Sequence, residues 1–182
     1  PGRHAFRIRY DAPPAALSAR PSPVSYPTKR VEAEPRGADG WVRFSVGESG
    51  SDVSRLPDYV AAVTHVNARA GVWPSLSPAT GYLMTGNPRA TKQTMTVDVR
   101  LKSEHVYRMA LHLVDGDHQQ RRMAVELFDL DTLKLIAPVA LVENSAGGRY
   151  LVYEYNRSCR VRLSHVTGGD AVISGIYFDP RP

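Results

Sequence analysis

The stretch from residue 107 to residue 130, YRMALHLVDGDHQQRRMAVELFDL, decides the fold. Every second residue is large and apolar over 107–113, and the same alternation returns over 123–127. A period of two is typical of a strand with one buried face. The Asp-Gly-Asp at 115–117 has turn chemistry, because Asp bonds nearby backbone and Gly tolerates positive φ. The stretch therefore predicts a β-hairpin and an antiparallel β fold.

Alternation and turn signals predict short strands along the rest of the chain. We expect them at residues 41–46, 59–67, 71–73, 93–101, 133–142, 150–155, 159–165 and 171–178. Pro138 makes the segment 133–142 an edge strand or a break, since Pro cannot donate to a sheet. Residues 52–55 are predicted to begin a helical turn, and residues 73–92 a long loop of the kind that often carries function. Strands at this spacing favour a β-sandwich, a jelly roll in particular, with a closed barrel as the alternative.

The 182 residues divide into two parts by composition. Residues 1–35 are predicted to form an N-terminal strand, with alternation over 6–10, and a Pro-rich linker. Residues 36–182 form the predicted β-sandwich domain. Because the chain begins at Pro1 without Met, we expect it to be a piece of a longer protein.

The composition weighs against several classes of protein. The net charge of +5 suits an anionic partner, but the basic residues lack the clustering with aromatics that nucleic-acid binding requires. No run approaches the roughly 18 apolar residues of a membrane span. Cys159 is the only cysteine and alternates in phase with Val161 and Leu163, so we predict a buried, inert thiol. We expect neither a nucleic-acid nor a membrane partner.

The acidic and histidine residues do not assemble a predicted catalytic site. The Asp pairs at 115/117 and 129/131 follow separate strands, so we interpret them as turn residues rather than as a glycosidase carboxylate pair. The six histidines lack metal-site spacing, and His112 is expected on an outer or concave sheet face. No P-loop, GxGxxG or GxSxG motif is present. We therefore predict no catalytic residues.

Aromatic residues carry the best binding hypothesis. The apolar faces of sugar rings pack on Trp and Tyr, while Arg and Asn bond the hydroxyl groups. Trp73 and Tyr82 bracket the long loop, and Asn87 and Arg89 lie within it. Together with Trp41, at the start of a strand, they form the candidate carbohydrate-binding set. Large aromatics are also common core anchors, which is the alternative for each of them.

Six segments together resemble a known family. GADGWVRF, DVSRLPDYVAAV, VYRMALHLVDGD, RRMAVELFDLDT, GGRYLVYEY and AVISGIYFDP are similar to the galactose-binding-like β-sandwich accessory domains, of the carbohydrate-binding-module type, appended to bacterial polysaccharide-degrading enzymes. The resemblance covers roughly residues 37–180. Relatives carry an aromatic inside the DxD turn, where this chain has Gly116.

The resemblance implies a fold, a metal and a setting. It implies an all-β jelly roll that is secreted or on the cell surface, or else periplasmic. Glu32, Glu34 and Asp179 are similar to ligands of a structural calcium in such domains, whose oxygen donors suit Ca²⁺. The expected cofactor is accordingly none, or this structural Ca²⁺.

Two functional hypotheses follow. The first is a non-catalytic carbohydrate-binding module that targets a parent glycoside hydrolase or lyase to an extracellular polysaccharide, for which the net charge of +5 favours an acidic one. Its partners would be that polysaccharide and the neighbouring catalytic domain of the same polypeptide. The alternative is a structural accessory domain that buttresses the catalytic domain without binding sugar.

Overall fold

The computed structural model describes residues 29–31, 35–44, 53–76, 80–85 and 94–181. Within these ranges the chain forms only strands and their connections. The strands are β1 Lys29–Val31, β2 Gly40–Arg43, β3 Val53–Arg55, β4 Val60–Val66, β5 Ala68–Trp73, β6 Thr80–Thr85, β7 Thr94–Leu101, β8 Tyr107–Leu113, β9 Arg122–Asp129, β10 Ala140–Val142, β11 Arg149–Tyr155, β12 Cys159–Thr167, β13 Val172–Ile173 and β14 Gly175–Asp179. None of the described segments is a helix long and apolar enough to cross a membrane.

The strands form three antiparallel sheets. The first sheet has six strands in the order β1-β11-β8-β14-β2-β3, and the second has five in the order β10-β9-β12-β7-β4. A small third sheet has the order β13-β6-β5. The first and second sheets enclose one core, so the fold is an antiparallel β-sandwich, as predicted.

The core is built from the alternating positions of both large sheets. The odd-numbered residues of β8 are buried, and so is Ala110 on its other face; in β9 the buried apolar residues are Met123, Val125 and Leu127. Contacts join the two sheets directly: the Tyr107 hydroxyl lies 3.4 Å from Cys159 Sγ, and the Tyr155 hydroxyl donates to Asp129 Oδ2 at 2.6 Å. The alternating positions therefore bury one face of each large sheet against the other, and parts of β8, β11 and β14 are buried on the outer face as well.

The predicted hairpin over residues 107–130 is wrong, although both of its strands are present. β8 pairs with β11 and β14 in the first sheet, whereas β9 pairs with β10 and β12 in the second. Alternation determines which face of a strand is buried but not which strand lies beside it. The connection 114–121 crosses from one sheet to the other instead of turning back within one.

Two local predictions also need correction. The predicted helical turn at 52–55 is edge strand β3, whose Ser54 pairs with Val42 of β2. The predicted loop 73–92 contains strand β6, which pairs with β5. The last three residues of β6 are all buried, so the strand lacks the alternation by which a strand is recognised in a sequence.

Three other predictions can be compared directly. Of the segment 133–142 only Ala140–Val142 forms a strand, edge strand β10, and Pro138 lies before it, so both the predicted break and the predicted edge position are confirmed. Cys159 is buried together with Val161 and Leu163, which confirms the predicted burial of its thiol. Burial also raises the pKa of this thiol to about 12. Strand β1 lies within the segment 1–35 that is predicted to end in a linker, and it pairs with β11 of the sandwich. The strand predicted over 6–10 lies outside the described residues, and the domain boundary near residue 35 stays a prediction.

Candidate functional site

The two aromatics predicted to bracket a binding loop lie against each other. Trp73 ends β5 and Tyr82 lies in β6, and their ring centroids are 3.9 Å apart at an interplanar angle of 26°. A Cβ added to Gly116 would lie 2.6 Å from Trp73 Cγ, so the indole occupies the space beside the glycine. Trp73 is only 6% exposed. Contact of Trp73 and Tyr82 with a ligand stays a prediction, and Asn87 and Arg89 lie outside the described residues.

The connection beside Trp73 is held by a buried arginine. The Arg121 guanidinium forms ion pairs with Asp115 and Asp117, and its Nε donates to the Asp170 carbonyl at 2.8 Å. Asp115 also accepts the backbone N–H groups of Gln119 and Arg121. Burial alone would raise the pKa of Asp115, but these N–H groups and the guanidinium outweigh it and lower the pKa. Asp115 is therefore a turn-forming residue, as predicted.

The second acidic pair is engaged separately. Asp129 accepts the N–H groups of Asp131 and Thr132 as well as the Tyr155 hydroxyl. Strand β9 runs from Arg122 to Asp129, so at about 3.4 Å per residue the two acidic turns lie about 24 Å apart. Retaining and inverting glycosidases place their carboxylates about 5–9.5 Å apart. The two acidic turns therefore do not meet as a catalytic pair.

A different cluster forms on the outer face of the first sheet, the face turned away from the core. Tyr177 of β14 pairs directly with Trp41 of β2. In the next row, His112 of β8 pairs with Tyr150 of β11, and Gly175 of β14 lies between His112 and Arg43. We call the surface formed by Trp41, Arg43, His112, Tyr150 and Tyr177 the aromatic platform.

The rings of the aromatic platform contact one another and remain accessible. His112 stacks on Tyr150 with centroids 4.5 Å apart at 14°, and Tyr177 meets both rings edge-on at about 6 Å. The Arg43 guanidinium lies 4.7 Å from the centre of the Trp41 ring. Tyr150 is 43% exposed, Arg43 is exposed, and the other three are half-buried. Trp41, one of the predicted binding residues, therefore belongs to an accessible aromatic surface.

The segment before β2 supports one side of the platform. Gly37 has φ +64°, and a Cβ there would lie 3.1 Å from the Tyr177 ring and 3.5 Å from the Trp41 ring. Glycine tolerates both the left-handed backbone and this close approach. Asp179 fixes the segment, since its carboxylate accepts the N–H groups of Arg36 at 3.0 Å and Ala38 at 2.8 Å.

The platform carries one fixed positive charge. Burial, and then the charge of Arg43, lower the pKa of His112 to about 4, so the imidazole is neutral at pH 7. Burial raises the pKa of Tyr150, so its phenol keeps its proton. The platform thus offers one guanidinium, a neutral imidazole, two phenol hydroxyls and an indole N–H as hydrogen-bonding groups.

The predicted metal ligands remain untested as a set. Asp179 lies at the end of β14 and bonds backbone N–H groups, whereas Glu32 and Glu34 lie outside the described residues. No group of three or more His, Cys, Asp or Glu residues within the described ranges is arranged to hold a metal ion. The structural Ca²⁺ stays a prediction.

Sequence reasoning missed most of the platform. His112 was expected on an outer or concave face, which its half-buried position on the outer face of β8 confirms. For Tyr150, Tyr177 and Arg43 the sequence predicts only a position in a strand. Each occupies an outward phase of its strand, so aromatic and arginine residues at outward phases are the sequence signal that would have found them.

Comparisons with known proteins give only distant likenesses. No protein-family model and no curated protein matches the chain. A family 35 carbohydrate-binding module from Clostridium thermocellum, in its native structure, is 11% identical with a TM-score of 0.40, over 65% of this chain and 92% of that one. The isomalto-dextranase of Arthrobacter globiformis complexed with panose is 13% identical with a TM-score of 0.36, over 85% of this chain and 32% of that one. At these values neither likeness assigns a family or a function.

Proposed function

We propose that the domain is a non-catalytic carbohydrate-binding module and that the aromatic platform is its binding surface. The observation that carries the proposal is the accessible cluster of three aromatic side chains, an imidazole and a guanidinium on an outer sheet face. Tyr150 leaves 43% of its surface exposed although it is stacked on His112. Accessible aromatic clusters on a folded domain mark binding surfaces more often than isolated apolar residues do.

The chemistry of the platform suits a sugar chain. Flat rings contact the apolar faces of pyranose units, while amphipathic groups such as the Tyr150 phenol bond the hydroxyls. Arg43 forms no ion pair within the described residues, so its guanidinium is available to a uronate carboxylate or a sulfate. Binding is shallow and involves no covalent step. An acidic polysaccharide is therefore the first ligand to test, with neutral polysaccharides beside it.

We further propose the setting of this module. It holds a neighbouring catalytic domain of the same polypeptide, a glycoside hydrolase or lyase, on an extracellular polysaccharide. A secreted, cell-surface or periplasmic location suits that role. The separation of the two acidic turns supports a binding role rather than a hydrolytic one.

Affinity electrophoresis tests the proposal. The protein is run through native gels that contain neutral or acidic polysaccharides, beside Tyr150→Ala and the control Leu141→Ala. Leu141 is 50% exposed on the second sheet and so matches Tyr150 in exposure at a distant place. We expect retardation of the native protein and of the control, and faster migration of Tyr150→Ala. Migration of the native protein that no polysaccharide slows would refute the binding module.

One observation favours the structural accessory domain as a second candidate. Four large aliphatic side chains beside edge strand β10 are about half exposed, namely Leu133, Leu135, Val139 and Leu141. An exposed edge with apolar side chains is a surface on which a neighbouring domain can pack. For this candidate, Val139→Asp in the longer protein lowers the melting temperature of the catalytic domain. An unchanged melting temperature would argue against it.

A further inference from the structure

An open cleft lies at the end of the sandwich where β3 and β14 finish and where β4 and β8 begin. It is bounded by four segments, residues 38–39, 55–59, 105–106 and 180–181. Its volume is ≈ 790 Å³, within the range of about 300–1,000 Å³ usual for small-molecule sites. We call it the base cleft. No residue of the aromatic platform lines it.

The base cleft has a rigid aromatic wall. Tyr59 stacks on His105 with ring centroids 4.1 Å apart at 20°, and it also packs on Tyr107 and Phe178 of the core. The Tyr59 hydroxyl donates to Asp39 Oδ2 at 3.1 Å. The wall is therefore fixed from behind by the core and at its rim by a hydrogen bond, so little order is lost when a ligand binds.

The charged side chains that line the base cleft are equal in number. Asp39 and Asp58 provide two carboxylates, and Arg55 and Arg181 provide two guanidiniums. The Arg181 guanidinium also lies 4.0 Å from the carboxylate of Glu154, which does not line the cleft. The Arg55 Nη2 donates to the carbonyls of Gly37 and Ala38 at 3.1 and 3.2 Å, which holds the side chain at the rim.

Balanced charge selects the class of ligand. An anionic ligand would be repelled by the two carboxylates, and a cationic ligand would be repelled by the two guanidiniums. A neutral ligand with several hydroxyl groups instead donates to the carboxylates, accepts from the guanidiniums and rests an apolar face on Leu56, Pro57 and the Tyr59–His105 wall.

We propose that the base cleft is a second binding site, which takes one or two sugar units of a neutral glycan. The two surfaces share no residue, although Arg55 of the cleft pairs with Trp41 of the platform where β3 lies beside β2. Two sites on one domain would hold a polysaccharide that contains both acidic and neutral units more tightly than either site alone, provided that both are engaged together.

Titrations followed by two-dimensional amide NMR test this inference. The probes are neutral hexasaccharides of glucose, xylose, mannose and galactose, each added to the native protein. We expect at least one to shift the amide signals of Asp58, His105 and Val106 in a saturable way. No shift at these amides with any of the four hexasaccharides would overturn the inference.

Variants separate the base cleft from the aromatic platform. Asp58 is exposed and forms no ion pair within the described residues, so Asp58→Ala is expected to fold. Loss of hydrogen bonds to its carboxylate predicts about tenfold weaker binding at the cleft. The cleft shifts should persist in Leu141→Ala and in Tyr150→Ala. The cleft is not a binding site if the following result is found: Tyr150→Ala abolishes the cleft shifts, whereas Asp58→Ala and His105→Ala bind the hexasaccharide with an affinity within twofold of that of the native protein. Failure of the platform alone would leave the cleft shifts intact.

Discussion

Replacement of Tyr150 by Ala tests the platform quantitatively. A large aromatic side chain has about 150–250 Å² of surface to bury, and 43% of the Tyr150 surface is exposed. About 65–110 Å² is therefore available to a ligand. A sugar that covers half of this area removes about 32–54 Å² from water, which at about 25 cal/mol per Å² is worth about 0.8–1.3 kcal/mol. Tyr150→Ala should thus weaken binding about four- to ninefold.

The assay is isothermal titration calorimetry with an oligosaccharide of the polysaccharide that retards the native protein. Tyr150→Phe is the matched variant, because it keeps the ring and loses only the hydroxyl. Loss of the His112 stack should lower the free energy of unfolding of Tyr150→Ala by about 0.2–1 kcal/mol, which urea unfolding measures. If Tyr150→Ala binds as tightly as the native protein and is equally stable, the stacking argument is refuted.

Three other predictions concern stability and reactivity. Arg121→Met leaves the buried Asp115 carboxylate without its partner, so urea unfolding should show a loss of about 3–5 kcal/mol, and a loss under 1 kcal/mol would contradict the buried ion pair. Burial alone would raise the pKa of Asp129, but the hydrogen bonds from Tyr155 and Thr132 outweigh it and lower the pKa in the folded protein. The ionised Asp129 carboxylate therefore stabilises the fold above about pH 4, and this stabilisation is lost as the pH falls through the pKa of the folded state. Asp129→Asn should therefore flatten the decline of the urea midpoint between pH 5 and pH 2, measured against the native protein, and an unchanged decline would contradict this assignment. Cys159 should react with a thiol reagent at pH 8 only after unfolding in guanidinium chloride, and rapid labelling of the folded protein would contradict its burial.

The sequence supplied the strands more reliably than their partners. The alternation over β7 and β8 is unbroken, so both were predicted closely. The pairing of β8 with β11 depends on a core that brings residues some forty positions apart into register, and no local pattern encodes it. β6 escaped recognition because its final residues are all buried.

The candidate site was harder to predict than the fold, for a related reason. The platform is assembled from strands β2, β8, β11 and β14, and its rings become neighbours only through sheet order. Trp73 looked equally suitable in the sequence, but Tyr82 and the space beside Gly116 take up its ring. Composition identifies aromatic residues, whereas only packing distinguishes an accessible ring from a core anchor.

A crystal structure with a bound oligosaccharide tests directly whether the aromatic platform holds the sugar. Crystals are grown with a fragment of the polysaccharide that retards the protein. We expect a sugar ring in van der Waals contact with Tyr150 or Tyr177, with Arg43 or His112 hydrogen-bonded to its oxygens. A fragment bound only beside Trp73 and Gly116, with the platform bare, would contradict the claim.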